Sequence, residues 1–338
     1  MSLIRNILKK ILPSAVKQAL VDLLSLMKSP LYHWRDGRRY AKYSGMIHHE
    51  NDQVKLIARI TMTYHGIEKG LTMPEMRPGF GMEAMNTLIT LCDEYLRREY
   101  DATHCQFLHA VGVVEEYRKV HEEKGFTIAQ PLLNKIVELT GKVRDVQRAE
   151  QIESGAAEYF KETSTPFDNF SGSRHSIRNF SDAEVEVESI KKAISLARNA
   201  PSSCNRQSPR AYIIQDKELI GKVLSLQNGN RGFGHLANKL VVVTAEQGVY
   251  NSIKERHSAW IDGGMFAMNL LYALHFHRIG ACTLNCYFSP SAEDRVRALC
   301  GIPRSEVLVV IIALGAVPEK FRIPLSKRLS VDEIMRIR

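Results

Sequence analysis

Between Ser258 and Gly280 the chain carries a helix-length segment that is apolar on nearly every side. Ile261, Gly264, Met265, Met268, Leu271, Tyr272 and His275 recur at helical spacing on one side, and Ala267, Leu270 and Leu274 cover much of the rest. Such a helix must be buried, so the remainder of the chain has to supply layers around it. The 338 residues are enough for two domains with at least one sizeable core. No run of 18 apolar residues is present, which excludes a spanning helix. The start, Met1 to Arg5, has neither the apolar block nor the small-residue cleavage site of a signal peptide. Six cysteines, Cys92, Cys105, Cys204, Cys282, Cys286 and Cys300, form no Cys-x-x-Cys pair. Reduced thiols and a cytoplasmic protein are therefore expected.

The net charge is +9, but nine basic residues face only Asp22 and Asp36 within residues 1–45, so most of it lies there. A basic tip points to a local contact rather than to nucleic acid, and the basic residues lack interleaved aromatics. Leu3, Ile4, Ile7, Leu8, Ile11 and Leu12 recur at helical spacing. Pro13 can open a second helix, Val16, Leu20, Leu23, Leu24 and Met27 extend the stripe, and Ser29-Pro30 is expected to end it. Two fates are open for this basic amphipathic segment. It either packs on its own domain or lies on an anionic membrane surface through residues 1–29, at the inner face.

Residues 46–163 read as an α-helical module. Val54, Ile57, Ala58 and Met62 form one face; Met82, Met85, Leu88, Ile89, Cys92 and Leu96 form another. Ile136, Leu139, Val143 and Val146 read as one long charged helix. Two glycine-punctuated segments, His65-Gly66-Ile67-Glu68-Lys69-Gly70 and Arg77-Pro78-Gly79-Phe80-Gly81, bracket polar residues that are either functional or solvated turns. No His, Cys or carboxylate grouping has metal-ligand spacing, and none is assigned. Thr163 to Gly172 breaks the helical pattern and reads as a linker.

The remaining chain, 171–338, holds a series of marked segments. Ser173-Arg174-His175-Ser176-Ile177-Arg178-Asn179-Phe180 places two guanidinium groups, an imidazole and two hydroxyls in one short stretch. It is either an anion-binding segment or a solvated basic turn before a helix. Pro201-Ser202-Ser203-Cys204-Asn205-Arg206-Gln207 precedes a strand at 211–214. Gly229-Asn230-Arg231-Gly232 precedes the strand Leu240 to Val243. Gly280 to Cys286 reads as a strand, as does Glu306 to Ala313. Pro324-Leu325-Ser326-Lys327-Arg328 lies near the end.

In this order the segments resemble the FMN-dependent nitroreductase family. Arg-His-Ser followed by Ile-Arg and Phe is similar to its opening motif, and Pro-Ser-Ser-x-Asn-x-Gln to its second. The His-x-x-Glu-Lys-Gly segment is similar to one found before nitroreductase-like domains in polysaccharide gene clusters. The resemblance implies an α+β three-layer sandwich, a central mostly antiparallel sheet flanked by helices, behind the helical module. It implies FMN as cofactor and NAD(P)H as electron donor in a ping-pong reaction through flavin N5, with a small-molecule acceptor.

It also implies residue roles. Arg174 and Arg328 neutralise the flavin phosphate, with Ser176 and His175 adding hydrogen bonds. Arg178 tunes the flavin by its charge. Pro201, Ser202, Ser203 and Asn205 face the ring from the partner chain of a homodimer. Asn230, with Asn228 as the alternative, reaches the flavin, and Asn285-Cys286 stands where the family has a Glu-Gly pair, which leaves Cys286 as either a structural or a redox thiol. No other catalytic residue is required, since the cofactor carries the chemistry. Two other readings stay open: a flavoenzyme that tailors a polysaccharide or peptide, and a membrane-associated scaffold without flavin.

Overall fold

Leu240 to Val243 is a continuous apolar run, mostly of β-branched residues, and such a run is stable only as a strand covered on both faces. In the computed structural model, which describes residues 13–43, 53–144, 146 and 148–338, it is one of the two inner strands of the main sheet.

The elements, in order, are helices α1 (Ser14–Tyr43), α2 (Gln53–Leu71), α3 (Met82–Arg97), α4 (Cys105–Glu123) and α5 (Gln130–Lys142). Then come strand β1 (Ile152–Ser154), α6 (Ala156–Tyr159), α7 (Phe167–Ser173), α8 (Val187–Ala197), β2 (Pro209–Ile214), α9 (Lys217–Leu226) and β3 (Lys239–Glu246). The chain closes with α10 (Ser258–Phe276), β4 (Gly280–Leu284), α11 (Pro290–Cys300), β5 (Glu306–Gly315), β6 (Phe321–Ile323) and α12 (Val331–Ile334).

The main sheet has the order β2-β3-β5-β4 with every pairing antiparallel. Alternation sorts its side chains. Val241, Val243, Ile312 and Leu314 meet α8 and α10 through Ile190, Ala193, Phe266, Leu270 and Leu274. Leu240, Val242, Ile311 and Ala313 meet Ile220 and Val223 of α9 and Val296 of α11 on the other face. This is the expected three-layer α+β arrangement. Gly263 lets α10 approach the sheet, because a Cβ there would lie 2.6 Å from Val309. A separate core joins α2 to α5 through Ile60, Tyr64, Met85, Leu88, Phe107, Tyr117 and Ile136.

Four expectations need correction. Ser29-Pro30 does not end the first helix: α1 runs through Pro30 to Tyr43. Its far part is tied down by Asp36, which accepts from Arg256 at 2.9 Å and contacts His257 at 3.1 Å. Residues 1–12 of the segment read as membrane-contacting lie outside the described residues. The long helix through Val143 and Val146 stops at Lys142, where Val143 turns extended. The helical module is not wholly helical, because β1 pairs with β6 of the carboxy-terminal part and Tyr159 joins that core. Nor is Thr163 to Gly172 a bare linker. It forms α7, whose Phe167 and Phe170 rings pack against Tyr272 of α10.

The helix that must be buried is buried on one side only. Trp260, Ile261, Met265 and Met268 of α10 remain 37–58% exposed. Among the described residues no helix is long and apolar enough to cross a membrane.

Candidate functional site at the junction of the helical module and the sheet

After α7 the chain runs beside β4 and the end of β5, fixed by Ile177 N donating to Ala281 O at 2.9 Å and Ser181 N to Ala316 O at 2.9 Å. Ile177 and Phe180 point into the core. The buried Tyr159 hydroxyl holds the turn before them, donating to His175 O at 2.9 Å and accepting from His175 N at 3.2 Å. Ser173 Oγ meets His275 Nε2 of α10 at 2.8 Å.

These anchors turn Arg174, His175, Ser176 and Arg178 toward a cavity of about 290 Å³, where Ser326, Lys327 and Arg328 also arrive. Residues some 150 positions apart thus share one hollow. Among the described residues, Arg174, Arg178 and Arg328 have no acidic partner in an ion pair. Burial, with Arg174 and Arg328 nearby, holds His175 below the usual imidazole range. Burial, Arg174 and His175 together push His275 down to about 4.

The helical module forms the facing wall with Thr61, Tyr64, His65 and Gln106. Its central residue is Glu68, which is 0% exposed. One carboxylate oxygen lies 2.7 Å from His109 Nε2 and accepts from Ser326 N at 3.3 Å; the other lies 3.2 Å from His65 Nδ1. Burial opposes ionisation of this carboxyl, but the two imidazoles outweigh it and hold it at about 2. Gln106 donates to Lys327 O at 3.0 Å and accepts from Tyr64. The loop that carries Arg328 contains Ser326 at φ 45°, a conformation that non-glycine residues seldom adopt, so these bonds determine its shape. Sequence reading singled out Glu68 without a role. A usable signal was there: Tyr64, Ile67, Glu68 and Leu71 share the buried face of α2.

The second motif lies elsewhere in the protomer. Pro201, Ser202, Ser203 and Asn205 form a tight loop before β2, outside the cavity's lining. Cys204, Asn205 and Gln207 have φ of 52°, 56° and 52°. The strain is held by Asp262 of α10, 1% exposed, which accepts from Ser203 N and Oγ at 3.0 Å each and from Tyr250 OH at 2.8 Å. Asp262 has no role in the sequence reading beyond its place on the central helix. A lone acid inside an apolar helix was the clue.

Asn230 turns inward, its amide donating to Leu224 O at 2.8 Å, whereas Asn228 lines a second cavity. Asn285 is exposed and its side chain accepts from Tyr287 N at 3.1 Å. Cys286 is half-buried, and burial pushes its thiol up to about 12, far from a reactive thiolate. Neither residue lines the cavity.

Comparisons with known proteins bear on the carboxy-terminal part of the chain. The sequence model described as the Nitroreductase family matches residues 172–316, so the carboxy-terminal part of the chain is a nitroreductase-family domain behind a helical extension. A protein of Archaeoglobus fulgidus, provisionally named NADH dehydrogenase/NAD(P)H nitroreductase, is 29% identical over 146 residues, 42% of this chain and 80% of its own. One of Streptococcus pyogenes serotype M6, provisionally named NAD(P)H nitroreductase, is 25% identical over 197 residues, covering 49% and 96%. The crystal structure of a nitroreductase family protein from Streptococcus pneumoniae matches at 21% identity with a TM-score of 0.45, covering 51% of this chain and 100% of that one.

Proposed function

We propose that the chain is an FMN-dependent oxidoreductase that takes hydride from NAD(P)H and hands the electrons to a small-molecule acceptor. One observation carries this: Arg174, Arg178 and Arg328 converge with the Ser176 and Ser326 hydroxyls on one cavity, without acidic partners among the described residues. Cations gathered this way repel one another, and a phosphate monoester with up to about two negative charges relieves the repulsion. The residues present therefore fit the phosphate end of FMN.

When bound, FMN supplies hydride acceptance and donation at N5. The chain does the rest. Arg174 and Arg328 hold the phosphate in two-point fashion, and Ser176 donates a short hydrogen bond. His175, kept from protonating by burial and the two arginines, offers a ring N–H without adding charge. Arg178, also in the cavity's lining, would place a fixed positive charge beside the bound group, which favours electron uptake. The half-buried Lys69 stands near Arg178, and burial and then that guanidinium lower its affinity for a proton.

The Pro201–Gln207 loop is anchored by Asp262 yet lies outside the cavity. Together with the exposed apolar face of α10, this supports a homodimer in which the loop serves the partner's flavin.

The double variant Arg174→Ala, Arg328→Ala tests the assignment. We expect it to purify colourless and to bind added FMN at least about 100-fold more weakly than wild type, by absorbance titration. A fully yellow double variant would refute the phosphate site.

A further inference from the structure

The two glycine-punctuated segments of the helical module give the phosphate cavity His65 in its lining and Glu68 behind it, and their other residues are built into a definite shape of their own. With residues 228–233 they enclose a second cavity of about 470 Å³. Gly70 has no room for a side chain, since its Cβ would fall 2.0 Å from the Phe80 ring. Gly232, at φ 85°, would meet the Met73 sulfur at 2.9 Å. The two glycines let Phe80 and Met73 form one wall, and Met76 and Phe233 also line the hollow.

Into this partly apolar cavity project three cations, Lys69, Arg77 and Arg231. Among the described residues none of them has an acidic partner in an ion pair, although the exposed Glu75 also lines the cavity. Arg77 and Arg231 are exposed, and Lys69 is half-buried. Lys69 also stands close enough to Arg178 for their charges to repel, so this cavity adjoins the electron-transfer end of the proposed flavin site. Like charges gathered beside an apolar wall, with one of them partly stripped of water, are costly until an anion joins them.

We propose that this cavity is a substrate subsite: it receives the carboxylate or phosphate of a small organic molecule whose apolar body lies against Met76, Phe80 and Phe233 while it reacts at the flavin. The proposal rests on the flavin reading above and adds the substrate class. The anionic group belongs either to the acceptor or to the phosphates of the dinucleotide donor, and kinetics separate the two.

The test uses the full-length, flavin-loaded protein and its Arg77→Ala and Arg231→Ala variants under anaerobic conditions. NADPH is the donor, and 4-nitrobenzoate or uncharged nitrobenzene is the acceptor. In each turnover NADPH loses a hydride, and the nitro group takes up two electrons and two protons to give the nitroso compound and water. If the acceptor carries the anion, KM for 4-nitrobenzoate rises about tenfold in each variant while the constants for nitrobenzene stay put. If the donor carries it, KM for NADPH rises by a similar factor with both acceptors. Unchanged constants in both arms overturn the proposal. So does loss of the flavin spectrum in either variant, because the cavity would then belong to the cofactor. Should wild type hold no flavin, the earlier reading fails, and calorimetric titration with 4-nitrobenzoate still decides the subsite. Binding to wild type that weakens in both variants supports it, and no binding overturns it.

Discussion

The phosphate cavity and the Pro201–Gln207 loop are built in opposite ways. The cavity gathers repelling cations, and its shape is imposed from outside, by Glu68 and Gln106 of the helical module and by Tyr159. The loop is strained within itself, with three left-handed non-glycine residues, and it is held by one buried acid of α10. The first is a receptacle awaiting charge. The second is a preformed edge that lies outside the receptacle of its own protomer. The difference teaches that the cavity is set by electrostatics and the loop by backbone geometry, so they should fail independently.

Glu68→Ala gives the largest effect expected at the cavity end. It strips a buried His109 of its partner and frees the Ser326 turn, which should cost about 3 kcal/mol of stability and weaken FMN binding about tenfold. Thermal unfolding and flavin titration measure these, and limited proteolysis should find the Pro201–Gln207 loop unchanged. A loop that becomes cleavable in this variant would break the comparison.

Acidification gives the next effect. His275 binds its proton near pH 4 in the folded chain but near 6.5 when unfolded. The unfolded state therefore gains protons first, and stability is lost as pH falls from about 6.5 toward 4. The loss should amount to about 2 kcal/mol between pH 7 and 5. His275→Gln should remove that share from a denaturant series across pH, and an unaltered slope would show that His275 is not its source.

The smallest effect belongs to the loop. Cys204→Gly relieves a left-handed backbone at φ 52° and ψ 31° and should raise stability by about 1 kcal/mol. Flavin affinity should not move. A destabilised variant would mean that the loop is not strained there.

Much of the carboxy-terminal architecture was legible because its signals are local. The apolar runs at 240–243 and 307–313 have the composition of covered strands, and both are strands. The segment from Ser258 is helical to Phe276 and stops where His277 turns out of the helix before β4. What escaped depends on distant partners. Pro30 reads as a stop, yet α1 continues to Tyr43, where Asp36 meets Arg256 two hundred residues on. Thr163 to Gly172 has turn composition, but the rings of Tyr272 and His275 give Phe167 and Phe170 something to pack on. For the site, the cationic cluster at 174–178 could be read from residue type alone. Glu68 and Asp262 stand out by their places on apolar helix faces, but their partners could not be read, because nothing near Glu68 in sequence reveals Ser326, and nothing near Asp262 reveals Ser203.

Asp262 and His275 sit on the same helix, thirteen positions apart, a span of about 20 Å along its axis. One fastens the strained loop, and the other fastens Ser173 beside the first arginine. The helix is thus a strut with an anchor at either end. Any tilt that displaces one anchor must displace the other, so the strained loop and the turn that carries the first arginine would shift in step.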